Sequence, residues 1–364
     1  MKIAVLCITS YSDRPEAETF IGLRKADVDI EVMCPSSAPH NVRLREGGVP
    51  VIDLSPKGRV DFAAIRIIRD RLKGKHYDIL HTFNNRALSN GILASRGLPV
   101  KIVAYRGIVG NVSFFNPGSW LTYLNPRVDR IVCVANAVRD YLLSMRFLWL
   151  RIPDEKIVTI YKGHDLAWYR DQPADLSGFD IPPDAFVVGC IANMRPRKGI
   201  DVLIKSAEWL PEDAPVHFLL VGNMESKKLR RKIAASPFAD RIHLAGFRTD
   251  APALMASCDL FVLPALRREG LPKGVIEAMA YGTPPVVTAS GGSPELIVNN
   301  ESGIVVPPGD AQAIAEAILF MLDNPEKRRQ MGKNATERIR THFRNQDTIR
   351  QTLELYQELY LGRL

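Results

Sequence analysis

The run Asp259–Thr288, D-L-F-V-L-P-A-L-R-R-E-G-L-P-K-G-V-I-E-A-M-A-Y-G-T-P-P-V-V-T, decides the fold. Its two ends are apolar runs of strand length, and between them a Gly- and Pro-rich turn opens into a helical stretch, so it reads as strand, loop, helix, strand. Gly270, Pro272 and Gly274 keep the turn tight and free of large side chains, so that successive amides can converge on phosphate oxygens where the helix dipole is positive. Glu269 and Glu277 frame that turn. An ionised carboxylate accepts hydrogen bonds at two oxygens, which suits the paired hydroxyls of a ribose or hexose. The segment is therefore expected to hold a sugar nucleotide.

The same rhythm extends both ways. A-F-V-V-G-C-I-A, V-H-F-L-L-V-G, R-I-H-L-A-G and G-I-V-V-P read as further apolar strands after residue 185, with helical spacing between them. Before it, K-I-A-V-L-C-I, D-I-E-V-M, V-P-V-I-D-L, D-I-L-H-T, K-I-V-A-Y and D-R-I-V-C-V repeat the pattern. Fully apolar strands alternating with helices imply parallel sheets covered on both faces, hence an α/β chain of two doubly wound, Rossmann-like domains. The seam falls near 161–185, which is rich in turn formers and has no apolar period. Residues 1–165 make the first expected domain and 166–344 the second, while an amphipathic helix over 345–364 returns to the first. Ligands of such sheets sit beyond the carboxyl ends of the strands, so the two domains are expected to face one another across a cleft lined by the Glu269 turn.

The length, 364 residues, suits two domains with separate cores. Cys7, Cys34, Cys133, Cys190 and Cys258 fall in or beside apolar runs without C-x-x-C spacing, reading as core thiols of a reduced, cytoplasmic protein. No leader or membrane-spanning run is expected. Charge is uneven: residues 1–170 carry 25 Lys and Arg against 16 Asp and Glu, whereas the rest is close to neutral. A basic half can attract nucleic acid, anionic lipid or a charged substrate, or be only a solvated surface. No nucleic-acid motif accompanies it. On that half, Y-L-L-S-M-R-F-L-W-L-R-I-P (141–153) and F-F-N-P-G-S-W-L (114–121) set aromatics beside arginines. They suit the interface of an anionic bilayer, or else a core helix with its own apolar stripe.

Three stretches, E-G-L-P-K-G-V-I-E-A-M-A from Glu269, N-M-R-P-R-K-G-I-D at 193–201 and G-G-S-P-E-L-I at 291–297, resemble the retaining glycosyltransferases of family four in order and spacing. The resemblance is specific from about Val187 to Pro307 and architectural elsewhere. It implies the GT-B arrangement of two Rossmann domains. It also implies transfer of a hexose from a nucleoside diphosphate sugar to an acceptor hydroxyl with retention, in the synthesis of cell-surface polysaccharide or glycolipid. By resemblance Glu269 orients the donor sugar and Glu277 holds the ribose hydroxyls, with Gly270, Leu271, Pro272, Lys273, Gly274 and Val275 lining the turn. Lys198 becomes the phosphate-binding lysine. The arginine that the family commonly carries five residues earlier is replaced by Asn193, so Arg195 is expected as the second cation. Phe247 and Arg248 occupy the position that meets the nucleobase, and Glu295 either touches the donor or merely opens a helix.

The first half departs further from the family. In place of a glycine pair after the first strand stands T-S-Y-S-D-R-P-E, where Arg14 can reach phosphates or Ser and Asp simply cap a helix. Arg106, in V-A-Y-R-G, replaces a common histidine; a guanidinium cannot act as a neutral base but can stabilise a departing diphosphate. His81 ends a strand nearby and reads more readily as a structural residue. Asp27-Val28-Asp29 resembles the D-x-D of metal-dependent enzymes but precedes a strand, so no metal and no cofactor beyond the UDP- or GDP-sugar donor is expected. The expected partners are that donor, a glycan or lipid-linked acceptor and an anionic membrane surface, with residence at the inner face of the cell membrane. A sugar-nucleotide epimerase of the same fold and a non-catalytic sugar-nucleotide-binding scaffold are the rival readings.

Overall fold

A computed structural model describes residues 2–362. The chain forms two compact units, Met1–Gly163 with Arg344–Leu364, and His164–Phe343. Of the expected segments 1–165 and 345–364, residues 1, 363 and 364 lie outside the described residues.

The first unit is built on β1 (Ala4–Ile8), β2 (Asp29–Cys34), β3 (Val51–Asp53), β4 (Ile79–Thr82), β5 (Lys101–Arg106) and β6 (Val128–Cys133). A hairpin of β7 (Arg146–Phe147) and β8 (Leu150–Arg151) precedes β9 (Ile157–Thr159). The main sheet runs β3-β2-β1-β4-β5-β6-β9, all parallel. Every residue of β1 is buried, as expected for a strand covered on both faces. β9 is a short strand that the sequence pattern did not single out. The segment 141–153, readable as one apolar helical stripe, instead divides: the helix Asn136–Ser144 stops at Met145 and the chain doubles back through the β7–β8 hairpin.

The helix Asn345–Tyr360 belongs to this first unit and packs on the helix Arg14–Lys25. Close approach requires Gly22, where an added β-carbon would meet Ile349 at 2.2 Å. Leu355, Tyr356 and Leu359 are buried from that helix in the core with Phe20, Leu23 and Ile30.

In the second unit β10 (Phe186–Ile191), β11 (Val216–Val221), β12 (Ile242–Gly246), β13 (Leu260–Leu263), β14 (Pro285–Thr288) and β15 (Ile304–Val306) form a parallel sheet ordered β12-β11-β10-β13-β14-β15. Its strand order reverses between β10 and β13, the place where a doubly wound sheet leaves a crevice for ligands. The helix Lys273–Ala280 follows β13, and the helix Pro325–His342 fits closely beside its end because Gly332 has no side chain: a β-carbon there would stand 2.0 Å from the carbonyl oxygen of Gly282.

Candidate active site

Three loops meet at the carboxyl ends of β10, β13 and β14, and the contacts between them require glycine. Gly199 adopts φ +68, and a β-carbon on it would lie 1.9 Å from the carbonyl oxygen of Pro264. The Leu266 amide donates to the carbonyl of Arg197 at 2.8 Å, stitching the loop after β13 to the loop after β10. Gly291, at φ +56, lies equally close to the backbone of Glu269, its would-be β-carbon 2.0 Å from that residue's carbonyl oxygen. A left-handed backbone in contact with a neighbouring carbonyl admits no side chain, so these glycines fix the position of Glu269.

Glu269 is 4% exposed. Its carboxylate accepts from Lys198 Nζ at 3.0 Å and from Arg197 Nη1 at 3.2 Å. Arg195, expected as the second cation, is exposed and contributes its carbonyl to the short turn Pro196–Lys198, accepting from the Lys198 amide at 2.8 Å. The arginine beside Glu269 is Arg197, two residues on, which the sequence reading passed over. A proline-initiated turn sets which of the two faces inward, and residue spacing does not reveal that.

Gly270, Leu271 and Pro272 carry the chain from Glu269 into the helix Lys273–Ala280. The first amides of a helix have no intrahelical acceptor, so this end offers donors and a positive dipole together. Glu277 is buried one turn into the helix and is paired with the Lys273 ammonium four residues earlier. The cavity at this end, about 300 Å³, is lined by Asn193, Lys198, Phe247, Arg248, Pro272, Lys273, Gly274 and Val275, with Gly222 at its wall. Phe247 is largely exposed over it, and Arg248 holds Asp250 through two bonds of 2.8 and 2.7 Å.

Of the remaining expected residues, Glu295 is on the second unit and Arg14 and Arg106 are on the first. Glu295 sits in the short turn Ser293–Leu296, where its carbonyl accepts from Arg338 at 2.9 Å; like Glu269 and Glu277, it does not line the cavity itself. Arg14 opens the helix Arg14–Lys25, capped by Asp13, which accepts from the Glu16 amide at 3.0 Å. Arg106 is 3% exposed, donates to the carbonyl of Gly110 and lies 4.9 Å over the Tyr123 ring, so its charge is directed into the unit's own packing. Burial lowers His81 to about 3 and Tyr356 binds its Nδ1 at 2.7 Å, so it is a neutral core residue. Asp27 pairs with Lys2 and Asp29 with Arg24 and Lys75, at the amino end of β2. Sequence reading also missed Ser290 and Ser293, whose buried hydroxyls flank the Gly291 contact and find no hydrogen-bond partner among the described residues. Among the described residues no cluster of three His, Cys, Asp or Glu could hold a metal ion.

Two Rossmann units, one carrying a cation–carboxylate pair and a helix N-terminus at its switch point, define the GT-B class of nucleotide-binding proteins. Residues 18–168 match the model described as Glycosyltransferase Family 4, and residues 171–338 match that of Glycosyl transferases group 1. Together they take in most of the chain, which belongs to the family-four glycosyltransferases. The Escherichia coli UDP-Gal:alpha-D-GlcNAc-diphosphoundecaprenol alpha-1,3-galactosyltransferase is 23% identical over 99% of this chain and 97% of its own length. The lipopolysaccharide core mannosyltransferase LpcC of Rhizobium leguminosarum is 30% identical over 62% of this chain and 63% of its own. The chain spans only 57% of the length of WcaL, an E. coli K12 protein assigned to colanic acid biosynthesis, at 29% identity. In fold, HepE of Anabaena, crystallised with UDP-glucose, superposes with a TM-score of 0.81 at 22% identity, covering 100% of both chains.

Proposed function

We propose that this protein is a retaining glycosyltransferase that moves a hexose from a UDP- or GDP-sugar to an acceptor hydroxyl. The acceptor would be a glycan or lipid-linked sugar, in the synthesis of cell-surface polysaccharide or glycolipid at the inner face of the cell membrane. One observation carries the reading: the buried Glu269 carboxylate is held by Lys198 and Arg197 at the switch point of a parallel sheet, one loop from the N-terminus of a helix that bears Glu277 one turn further on. A buried ion pair contributes little net stability, because desolvation offsets most of the attraction. Its use lies in pre-set charge.

In this reading the helix amides and Lys198 take the diphosphate, Arg197 adds a second cation, Glu277 holds the ribose hydroxyls and Glu269 the hexose. As the sugar–oxygen bond breaks, negative charge grows on the leaving diphosphate, and fixed donors stabilise it without reorganising. The acceptor oxygen bonds to the anomeric carbon and gives its proton to a diphosphate oxygen, while Lys198, Arg197 and the helix amides do the electrostatic work otherwise left to a metal. The relatives' names favour nucleotide sugars as donors and polymer or lipid-linked sugars as acceptors. We assign acceptor recognition to the first unit.

Turnover measured over a panel of UDP-, GDP- and ADP-sugars, with the anomeric configuration of the product read by NMR, tests the proposal. With the best donor, Glu269→Gln is expected to lower kcat by roughly 10²–10³, the range for losing one group that acts mainly in the transition state. Excess chelator leaves the rate unchanged. Wild-type turnover in Glu269→Gln, or an inverted product, would overturn the assignment.

A further inference from the structure

The first unit carries a surface feature that sugar transfer does not use. Phe115, Leu148 and Trp149 are 75%, 74% and 83% exposed, and Trp120, Leu121 and Phe147 are exposed around them. They form one patch: the Phe115 and Phe147 rings meet edge to face at 4.6 Å, joining the 114–121 loop to the β7–β8 hairpin. Single exposed apolar side chains are ordinary, whereas a contiguous cluster marks a surface that is covered in use.

The local chemistry of the hairpin works against its own folding. A two-residue turn favours Asn-Gly, yet Leu148 and Trp149 occupy it, and Leu148 adopts φ +53. Arg146 stands directly opposite Arg151 in the strand register, a like-charge pair that disfavours the ladder. Among the described residues neither guanidinium reaches a carboxylate, although Asp154 and Glu155 follow closely in sequence. The result is an apolar tip between two unneutralised cations.

We propose that this hairpin and the Phe115 loop dock the first unit on an anionic phospholipid bilayer. Leu148, Trp149 and Phe115 enter the boundary between headgroups and acyl chains, and Arg146 and Arg151 meet lipid phosphates beside them. Indole and guanidinium side chains suit that layer, which is apolar at one end and wet at the other. A second copy of the chain fits less well, because a twofold contact through this patch would bring the same arginines together. The hairpin is too short to do more than rest in the interface, and no helix of the described residues is long and apolar enough to cross a membrane. The inference is independent of the donor chemistry, so either can fail alone.

Co-sedimentation of the full chain with vesicles tests it, comparing phosphatidylcholine alone with phosphatidylcholine mixed with phosphatidylglycerol. Binding is expected to anionic vesicles, to weaken with salt, and to move Trp149 emission to shorter wavelength. Leu148→Ser with Trp149→Ser is expected to lower partitioning more than about tenfold. Arg146→Gln with Arg151→Gln lowers it about thirtyfold on anionic vesicles and little on neutral ones. Unchanged circular-dichroism melting shows that the variants fold. Equal recovery with both vesicle types, wild-type recovery of either double variant, or a dimer in light scattering that the Leu148/Trp149 variant dissociates would each overturn the proposal.

Discussion

Lys198 and Arg197 occupy adjacent positions yet reach the same carboxylate, because the turn Pro196–Lys198 bends the backbone and the left-handed Gly199 follows at once. The Lys198 side chain is 18% exposed and that of Arg197 23%, both well screened from bulk water, so each charge bears strongly on Glu269. Arg195 lies outside this arrangement. Arg197→Ala is therefore expected to lower kcat about a hundredfold, in line with the loss of one transition-state donor, while Arg195→Ala changes it by less than about threefold. Steady-state kinetics of the two variants side by side decide the matter; the reverse ranking would return the role to Arg195. From the sequence, the neighbourhood of Glu269, Lys198 and the Lys273 helix was legible, since each lies just past the carboxyl end of β10 or β13. The choice between two arginines was not, because it depends on the backbone conformation of the turn Pro196–Lys198 rather than on a pattern.

Helix ends make the same point at the next scale. The start of the helix Arg14–Lys25 was legible from its Asp cap, but the pattern does not show that its first turn places Glu16 in the interior. There Glu16 and Asp13 share one ammonium, that of Lys162, at 3.4 and 3.2 Å. Burial pushes the Glu16 carboxyl up to about 7; Lys162 opposes the rise and Asp13 adds to it. The folded state thus keeps a proton that the unfolded chain releases above about 4.5, so this group's contribution to stability is complete below that pH and is lost as pH rises through about 7. His81 acts in the opposite sense below its ordinary value, and comparison with a variant removes its effect. The difference in urea midpoint between wild type and Glu16→Gln is expected to shift in favour of the variant from pH 5 to 8. A flat difference would mean that Glu16 is ionised throughout. The hairpin at 146–151 escaped the sequence reading for a related reason: Leu-Trp is a poor turn and a good helix stripe, so local preference pointed the wrong way.

Across the molecule, among the described residues, the strand rhythm revealed twelve of the thirteen strands of the two main sheets, because strands of a parallel sheet covered by helices are largely apolar runs even where, as in β3 and β12, burial is incomplete. The missing one, β9, is a three-residue edge strand. The final helix ties the two ends of the chain into one unit. Burying Leu355, Tyr356 and Leu359 stabilises by about 1.5–3 kcal/mol each, a sum comparable with the whole stability of an ordinary domain. A chain ended after Phe343 is expected to lose the cooperative unfolding of the first unit while His164–Phe343 keeps its own transition. Calorimetry showing two intact transitions would contradict this. All five thiols are buried, three in the first unit and two in the second, and burial raises the pKa of each, leaving almost no thiolate at neutral pH. An alkylating reagent thus meets nothing reactive in the native molecule. Its adducts, mapped by mass, become a clock for spontaneous opening, with Cys7, Cys34 and Cys133 timing one half and Cys190 and Cys258 the other.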